Sequence, residues 1–162
     1  MMQSDKINVI LVDKFRLQIP ANQAEKFTQT KDKRAKFIAK HKDKQIEFYA
    51  ALRKDKSTGD YQIMFSKEKQ KKLDLFPTDE FEIQLFEDTS KYGVEMPEEL
   101  EAVLMSDYDA YQIFENLTAG KKRSIIYGVI RFKSSQQKID KALIMCENLK
   151  RGNHEPIKMF TL

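Results

Sequence analysis

The chain carries two histidines, His41 and His154, and one cysteine, Cys146. Any nucleophilic triad would need His41 or His154. His41 stands in a lysine-rich stretch and His154 near the C-terminal end, so both are expected to be solvated rather than catalytic. Cys146 falls on the apolar stripe of an expected helix, the place of a small buried hydrophobe rather than of a reactive thiol. No histidine or cysteine pair has metal-ligand spacing. The five glycines, Gly59, Gly93, Gly120, Gly128 and Gly152, stand singly, so no glycine-rich run is available to cradle a phosphate. Carboxylates cluster at 79–82 and 98–101. Alternation puts the first set on a strand's polar face, and the second lies in a helix's first turn, where acids complement the dipole. No catalytic residue, no cofactor-binding residue and no metal ligand is therefore assigned, and an enzyme on a small ligand ranks third among the functional readings.

Charge offers more. The net charge of +4 conceals three blocks. Residues 1–73 hold 18 Lys/Arg and 9 Asp/Glu; residues 74–115 hold one base, Lys91, and 13 acids; residues 116–162 hold 10 bases and 3 acids. The densest basic stretch begins at Lys31 and supplies the candidate anion or nucleic-acid patch: Lys33, Arg34, Lys36, Lys40, Lys42 and Lys44. A nucleic-acid binder would neutralise phosphates there. Base readout leans on the forked donors of arginine, and Arg34 is the one arginine in the stretch, so weak, non-specific nucleic-acid binding is the most this patch predicts. The acidic block would repel phosphates unless it faces away.

Length and composition bound the class. With 162 residues, 41% hydrophobic and 33% charged, the chain is too apolar for disorder and too charged for a membrane protein. No apolar run approaches the roughly 18–20 residues of a membrane span. The start, MMQSDKINVILVDKF, lacks the parts of a secretory signal. One cysteine allows no internal disulfide, which fits a reducing, cytoplasmic setting.

The elements that must position any site change period halfway. Residues 7–12 are a β-branched apolar run, and Phe15, Leu17 and Ile19 alternate with polar residues until Pro20 ends the strand. Residues 21–32 read as a loop. Short strands follow at 35–39 and 45–52, then turn chemistry at 55–60 and a returning strand at 61–65, so 45–65 is expected to be a hairpin. Ser66 caps a short helix to Leu73, and Phe81, Ile83 and Leu85 alternate in a last strand. Beyond a hinge at 88–93, Met96-Pro97-Glu98-Glu99-Leu100 is a helix entry. Ser106, with Asp109 three residues on, reads as a cap. Thr118 caps a helix carrying Ile125, Ile126, Val129 and Ile130. Ser135 starts another with Ile139, Ala142, Leu143, Cys146 and Leu149 at helical spacing, so Leu143 is expected in the core and Lys141 outside it. Gly152 stops this helix, and residues 153–162 read as a loose tail.

The stretch from Asp88 through Lys91-Tyr92-Gly93 to Met96-Pro97-Glu98-Glu99-Leu100 resembles the YdeI/OmpD-associated, or bacteriocin-protection, family of bacterial proteins. The similarity continues through Phe114-Glu115-Asn116-Leu117-Thr118-Ala119-Gly120-Lys121-Lys122-Arg123-Ser124-Ile125-Ile126-Tyr127 and ends at Glu147-Asn148-Leu149-Lys150-Arg151-Gly152. In that family the helical region commonly follows a small β-barrel, whose second half residues 45–88 resemble. Three departures stand out: Gly128 where relatives carry a large aromatic, Phe132-Lys133 in place of a short Ala-Lys, and Gln137-Lys138 in place of a threonine–arginine pair. A lysine at 138 gives an anion no forked donor. The resemblance implies no reaction and no catalytic residue.

These readings combine into an α+β expectation: a small N-terminal β-barrel at 1–90, of the AbrB-like double-split type, a helical region at 94–152, and a tail at 153–162. The function expected is a cytoplasmic binding or stress-protection protein that is not an enzyme, uses no cofactor and acts on an unidentified ligand or protein partner. DNA binding by the barrel is the alternative.

Overall fold

Alternating apolar residues build the N-terminal half of the computed structural model, which describes residues 2–30 and 32–161. The strands are β1 (Ile7–Val9), β2 (Arg16–Ile19), β3 (Arg34–His41), β4 (Lys44–Ala51), β5 (Arg53–Lys54), β6 (Tyr61–Met64) and β7 (Phe81–Phe86). They form two antiparallel sheets, ordered β1-β7-β3-β4 and β2-β6-β5. In β3 every second residue, Ala35, Phe37 and Ala39, is fully buried; Phe81, Ile83 and Leu85 do the same in β7. Leu17 and Ile19 of β2 and Ile63 of β6 join them in one apolar cluster shared by both sheets. A run of rings crosses it: Phe37 stacks on Phe48 at 5.2 Å, Phe48 meets Phe65 at 5.5 Å, and Phe65 meets Phe81 at 5.4 Å. Removing such a ring costs about 3–5 kcal/mol.

The fold is α+β, with six α-helices and two antiparallel sheets among the described residues. No ladder joins the sheets into a closed barrel among those residues; beside β2 lies an isolated bridge, Leu11 to Leu17. The chain divides into two units, Met1–Thr89 and Ser90–Leu162.

Three expectations for the first unit need correction. The expected strand at 7–12 is shorter, because the chain bends after Val9 to start the turn closed by the Val12 N–H donating to Arg16 O at 3.0 Å. The expected hairpin over 45–65 does not form. β4 pairs along its whole length with β3, whereas β6 pairs with β2 and β5. The crossing between sheets is made at Leu52, which is 2% exposed and donates its N–H to Lys33 O. The expected loop at 21–32 contains helix α1 (Ala21–Ala24) and a 3₁₀ turn over Glu25–Phe27. The Asp60 carboxylate accepts the first free N–H, from Ala21, at 2.9 Å. Ala24 and Phe27 are buried, which ties a polar segment to the core. Helix α2 (Lys67–Lys72) is capped by Ser66 as its sequence predicts, the hydroxyl accepting from the Lys69 N–H.

The second unit is helical: α3 (Glu98–Ser106), α4 (Tyr108–Glu115), α5 (Ala119–Ile130) and α6 (Ser135–Lys150). α3 and α4 pack against α6. The core holds Leu100, Leu104, Phe114, Ile125, Ile126, Val129, Ala142 and Met145, each 2% exposed or less. Thr118 caps α5. Ser134 with Gln137 makes a capping box on α6, one residue ahead of the expected start. The α4 cap is Asp107 rather than Ser106. Its carboxylate accepts the Ala110 N–H at 3.2 Å, while the Ser106 hydroxyl donates back to Val103 O.

Leu143 and the tail reverse the expectation. Leu143 is 50% exposed, while Lys141 is partly buried. On a helix of 3.6 residues per turn, the face of Ala142, Met145, Cys146 and Leu149 leaves Leu143 about 110° to one side and Lys141 about 90° to the other. The C-terminal segment settles on the Lys141 side. Met159 and Phe160 are buried, and Asn148 Nδ2 donates to Met159 O at 2.7 Å and to Thr161 O at 3.0 Å. The expected loose tail is a docked one over its described residues, because Met159 and Phe160 complete the helical core.

Candidate functional site

Alternation along β3 puts Arg34, Lys36 and Lys40 on the outward face of the four-stranded sheet. Lys36 lies 3.3 Å from Glu47 on β4, and Lys40 sits in register between Gln45 and Glu82. Lys44 pairs with Asp74 at 3.2 Å. Lys33 and Lys42, both with positive φ, flank opposite ends of β3, separated by an eight-residue strand rising about 3.3 Å per residue. The structure thus brings together three of the six candidate bases, on a face that also carries glutamates, and separates Lys33 from Lys42 and Lys44. Lys31, where the basic stretch begins, lies outside the described residues.

His41 is not solvated. It is 7% exposed, its Nδ1 donates to Leu73 O at 2.7 Å, and its Nε2 faces the Asp79 carboxylate at 3.8 Å. It closes the connection between α2 and β7 onto β3, which a sequence window around a lysine-rich turn does not reveal. Cys146 is 2% exposed, and burial, with the Asp107 carboxylate adding to it, pushes its thiol up to about 12. No group of His, Cys, Asp and Glu suited to a metal ion occurs among the described residues.

Two polar constellations in the helical unit bring together residues that the sequence leaves apart. The first gathers the hinge and α4. Tyr92 donates its hydroxyl to Glu115 Oε1 at 2.5 Å, and Lys91 donates to Tyr111 at 3.1 Å and lies 3.5 Å from Glu115. Lys122, from the first turn of α5, donates to Glu115 O and lies 5.8 Å over the Tyr92 ring. Burial, then the hydrogen bond to Glu115, pushes the Tyr92 phenol up to about 12. Each group has a partner inside the cluster, so it acts as a clamp between the hinge, α4 and α5. A second clamp ties Asp107 to Lys150 at 2.8 Å, joining the start of α4 to the end of α6.

The second constellation is open. A cleft of about 490 Å³ lies at the head of α3, lined by Glu95, Met96, Pro97, Glu98, Glu99, Ile130 and Lys138. Pro97 precedes α3 in extended conformation, and Leu100, fully buried, fixes the first turn. The segment 95–99 forms one wall. The last residue of α5, Ile130, and the first turn of α6, with Lys138, form the other. Ile130 is 42% exposed, an apolar side chain among the residues lining the cleft. Asp107 and Glu115 are engaged by Lys150 and Lys91, whereas Glu95, Glu98 and Glu99 have no ion pair among the described residues. Chemically the cleft's lining joins three apolar residues to three carboxylates and one lysine, which suits a cation-bearing apolar ligand. The run Glu95-Met96-Pro97-Glu98-Glu99 was legible as a helix entry; its pairing with Ile130 and Lys138 was not, because the two walls are about 35 residues apart.

Residues 93–152 match the model of the family described as bacteriocin-protection, YdeI or OmpD-associated. No curated protein and no solved structure matches the chain. The matched segment takes in the cleft, the α4–α6 clamp and all of α3 to α6. It also includes Gly128, against which the Phe160 ring packs.

Proposed function

We propose that this chain, whose helical segment 93–152 carries the match to the bacteriocin-protection, YdeI or OmpD-associated family, is a cytoplasmic protein that protects by binding and performs no catalytic step. One observation carries the reading: the cleft at the head of α3 is lined by three glutamates without an ion pair among the described residues together with Met96, Pro97 and Ile130. Lysine or arginine heads would meet the carboxylates while neighbouring apolar side chains cover Ile130. The occupant this selects is a cationic amphipathic peptide segment. Exposed charge pairs are screened by salt, so affinity falls as ionic strength rises. Lys138 on the rim disfavours a ligand carried by positive charge alone and makes the apolar contacts necessary. In the same reading the N-terminal unit is a small barrel of the AbrB-like type, its two sheets wrapped on their common core.

DNA binding remains the second reading, supported by Arg34, Lys36 and Lys40 sharing one outward face. Glu47 and Glu82 on that face oppose it. A site with about 4 phosphate contacts would give a log–log salt slope near about −3.6.

Fluorescence anisotropy separates the readings. The probes are a labelled peptide of alternating lysine and leucine, a glutamate–leucine peptide of equal length, and duplex DNA. The lysine–leucine peptide is expected to bind and to weaken with salt, and the glutamate–leucine peptide to stay free. Equal binding of both peptides overturns the cleft reading. Tight DNA binding abolished by neutralising Lys33, Arg34, Lys36, Lys40, Lys42 and Lys44 together, with no peptide bound, replaces it by the second.

A further inference from the structure

Gly128 lies in the third turn of α5, where glycine weakens a helix relative to alanine by about 1 kcal/mol. A Cβ at this position would stand 2.3 Å from Cε2 and 2.7 Å from Cζ of Phe160. The ring of the C-terminal segment therefore lies directly on the α5 backbone, and a side chain at 128 would displace it. The same ring meets Phe132 edge-on at 6.1 Å, and the Arg131 guanidinium lies over Phe132 at 5.3 Å and over Phe160 at 5.8 Å. Lys141 Nζ donates to Phe160 O at 3.4 Å and lies 5.5 Å from the centre of the Phe132 ring. Residues 131 and 132 open the turn between α5 and α6. Ile130 and Lys138, the second wall of the cleft, flank that turn on either side. The segment is tied at its far end, with Met159 and Phe160 buried and Asn148 holding both Met159 O and Thr161 O. Nearer α6 it turns away at Gly152, φ +86, is tied by the Asn153 N–H donating to Asn148 O at 2.9 Å, and leaves Ile157 93% exposed.

We propose that residues 153–161 form a latch whose Phe160 ring, seated on Gly128, holds the α5–α6 turn and so sets the cleft wall made by Ile130 and Lys138. Docked, the latch keeps Ile130 and Lys138 at the distance the cleft requires; released, it frees the turn and loosens the wall. The latch stands on the contact between Gly128 and Phe160, and its effect on a ligand rests on the cleft reading.

Two measurements decide the latch without any ligand. In urea denaturation, Gly128→Ala in the otherwise intact chain is expected to lower the midpoint, because the methyl meets the ring. In a Phe160→Ala background the same change is expected to raise it, since only the gain in helix propensity is left. Same-sign, additive shifts would overturn the latch. In amide hydrogen exchange, Phe160→Ala is expected to speed exchange across residues 130–138 by about tenfold or more, with α3 and β3 unchanged. Unchanged exchange at 130–138 would also overturn it. The third measurement uses the labelled lysine–leucine peptide. Phe160→Ala is expected to weaken its binding several-fold, while Leu143→Ala, on the uncovered flank of α6, leaves it unaltered. A peptide that binds both chains equally overturns the control of the cleft by the latch. A peptide that binds neither overturns the cleft reading, and the first two measurements still decide the latch.

Discussion

Asn148→Asp tests the docking of the C-terminal segment with almost no change of shape. Asn148 is 5% exposed, and its amide nitrogen donates to Met159 O at 2.7 Å and Thr161 O at 3.0 Å. Its Oδ1 accepts from Asn153 Nδ2 at 3.3 Å. A carboxylate oxygen in place of the amide nitrogen can only accept, so two carbonyls face an acceptor. Two hydrogen bonds lost at about 1 kcal/mol each, with about 1–3 kcal/mol for the buried acceptors left unpaired, give a loss of about 3–5 kcal/mol at neutral pH. With a urea slope of about 2 kcal/mol/M, the midpoint falls by roughly 1.5–2.5 M. The pH dependence carries the sharper sign. The introduced carboxyl is favoured neutral in the folded chain, where its O–H can donate to one carbonyl, so its folded pKa lies above the unfolded value of about 3.9. Part of the lost stability is therefore recovered below that unfolded value and lost again as pH rises through the folded one. Asn148→Ala removes the same hydrogen bonds without a charge and shows no such recovery relative to the parent chain. Urea unfolding followed by far-UV circular dichroism at pH 7 and pH 4 reads both. If Asn148→Asp costs no more than Asn148→Ala at pH 7, the placement of Asn148 between the tail carbonyls is wrong.

Leu143→Ala should cost less than about 1 kcal/mol, as an exposed site does, and Leu104→Ala about 2–5 kcal/mol, as a core site does; equal shifts in urea midpoint would misplace the α6 face. The Cys146 thiol, pushed up to about 12 from 9.0 by burial, should resist an aromatic disulfide reagent at pH 8 in the folded chain and react in full once denatured; fast labelling of the folded chain would show it exposed. The hydrogen bond from the Lys150 ammonium holds the Asp107 carboxyl below its ordinary value. Its contribution is present above about pH 4 and is lost as pH falls through the depressed value. Asp107→Asn should therefore narrow the stability gap between pH 7 and pH 3, and an unchanged gap would remove the clamp from the account.

Where a residue's own neighbours in sequence settle its environment, the sequence was sufficient. The short strand within β3, the alternation in β7, the caps at Ser66 and Thr118, and the burial of Ile125, Ile126 and Val129 all follow from spacing, whereas Ile130, expected on the same stripe, is 42% exposed. Where a distant segment decides, it was not. Lys141 and Leu143 differ in burial because the tail covers one flank of α6. His41 is buried because Leu73 and Asp79 return to it. Gly128 reads as a single glycine within a helix until Phe160 is seen seated on it. The pairing of β4 with β3 rather than β6 goes with a crossing between sheets at Leu52, which is buried and bonded to Lys33 O, a partner distant in sequence. The cleft was half legible: acids and a proline mark the entry to α3, but only the turn between α5 and α6 supplies its second wall.

The account's central claim is that Glu95, Glu98 and Glu99 hold a cationic amphipathic segment over Ile130. Isothermal titration of the lysine–leucine peptide tests it most directly, with the intact chain compared against a chain carrying Glu95→Gln, Glu98→Gln and Glu99→Gln together. Three partly exposed charge contacts of about 0.2–1 kcal/mol each predict an affinity loss of roughly three- to over a hundredfold at low salt, shrinking as salt is added. Equal affinity of the two chains at low salt would contradict the claim and place any peptide binding elsewhere on the molecule.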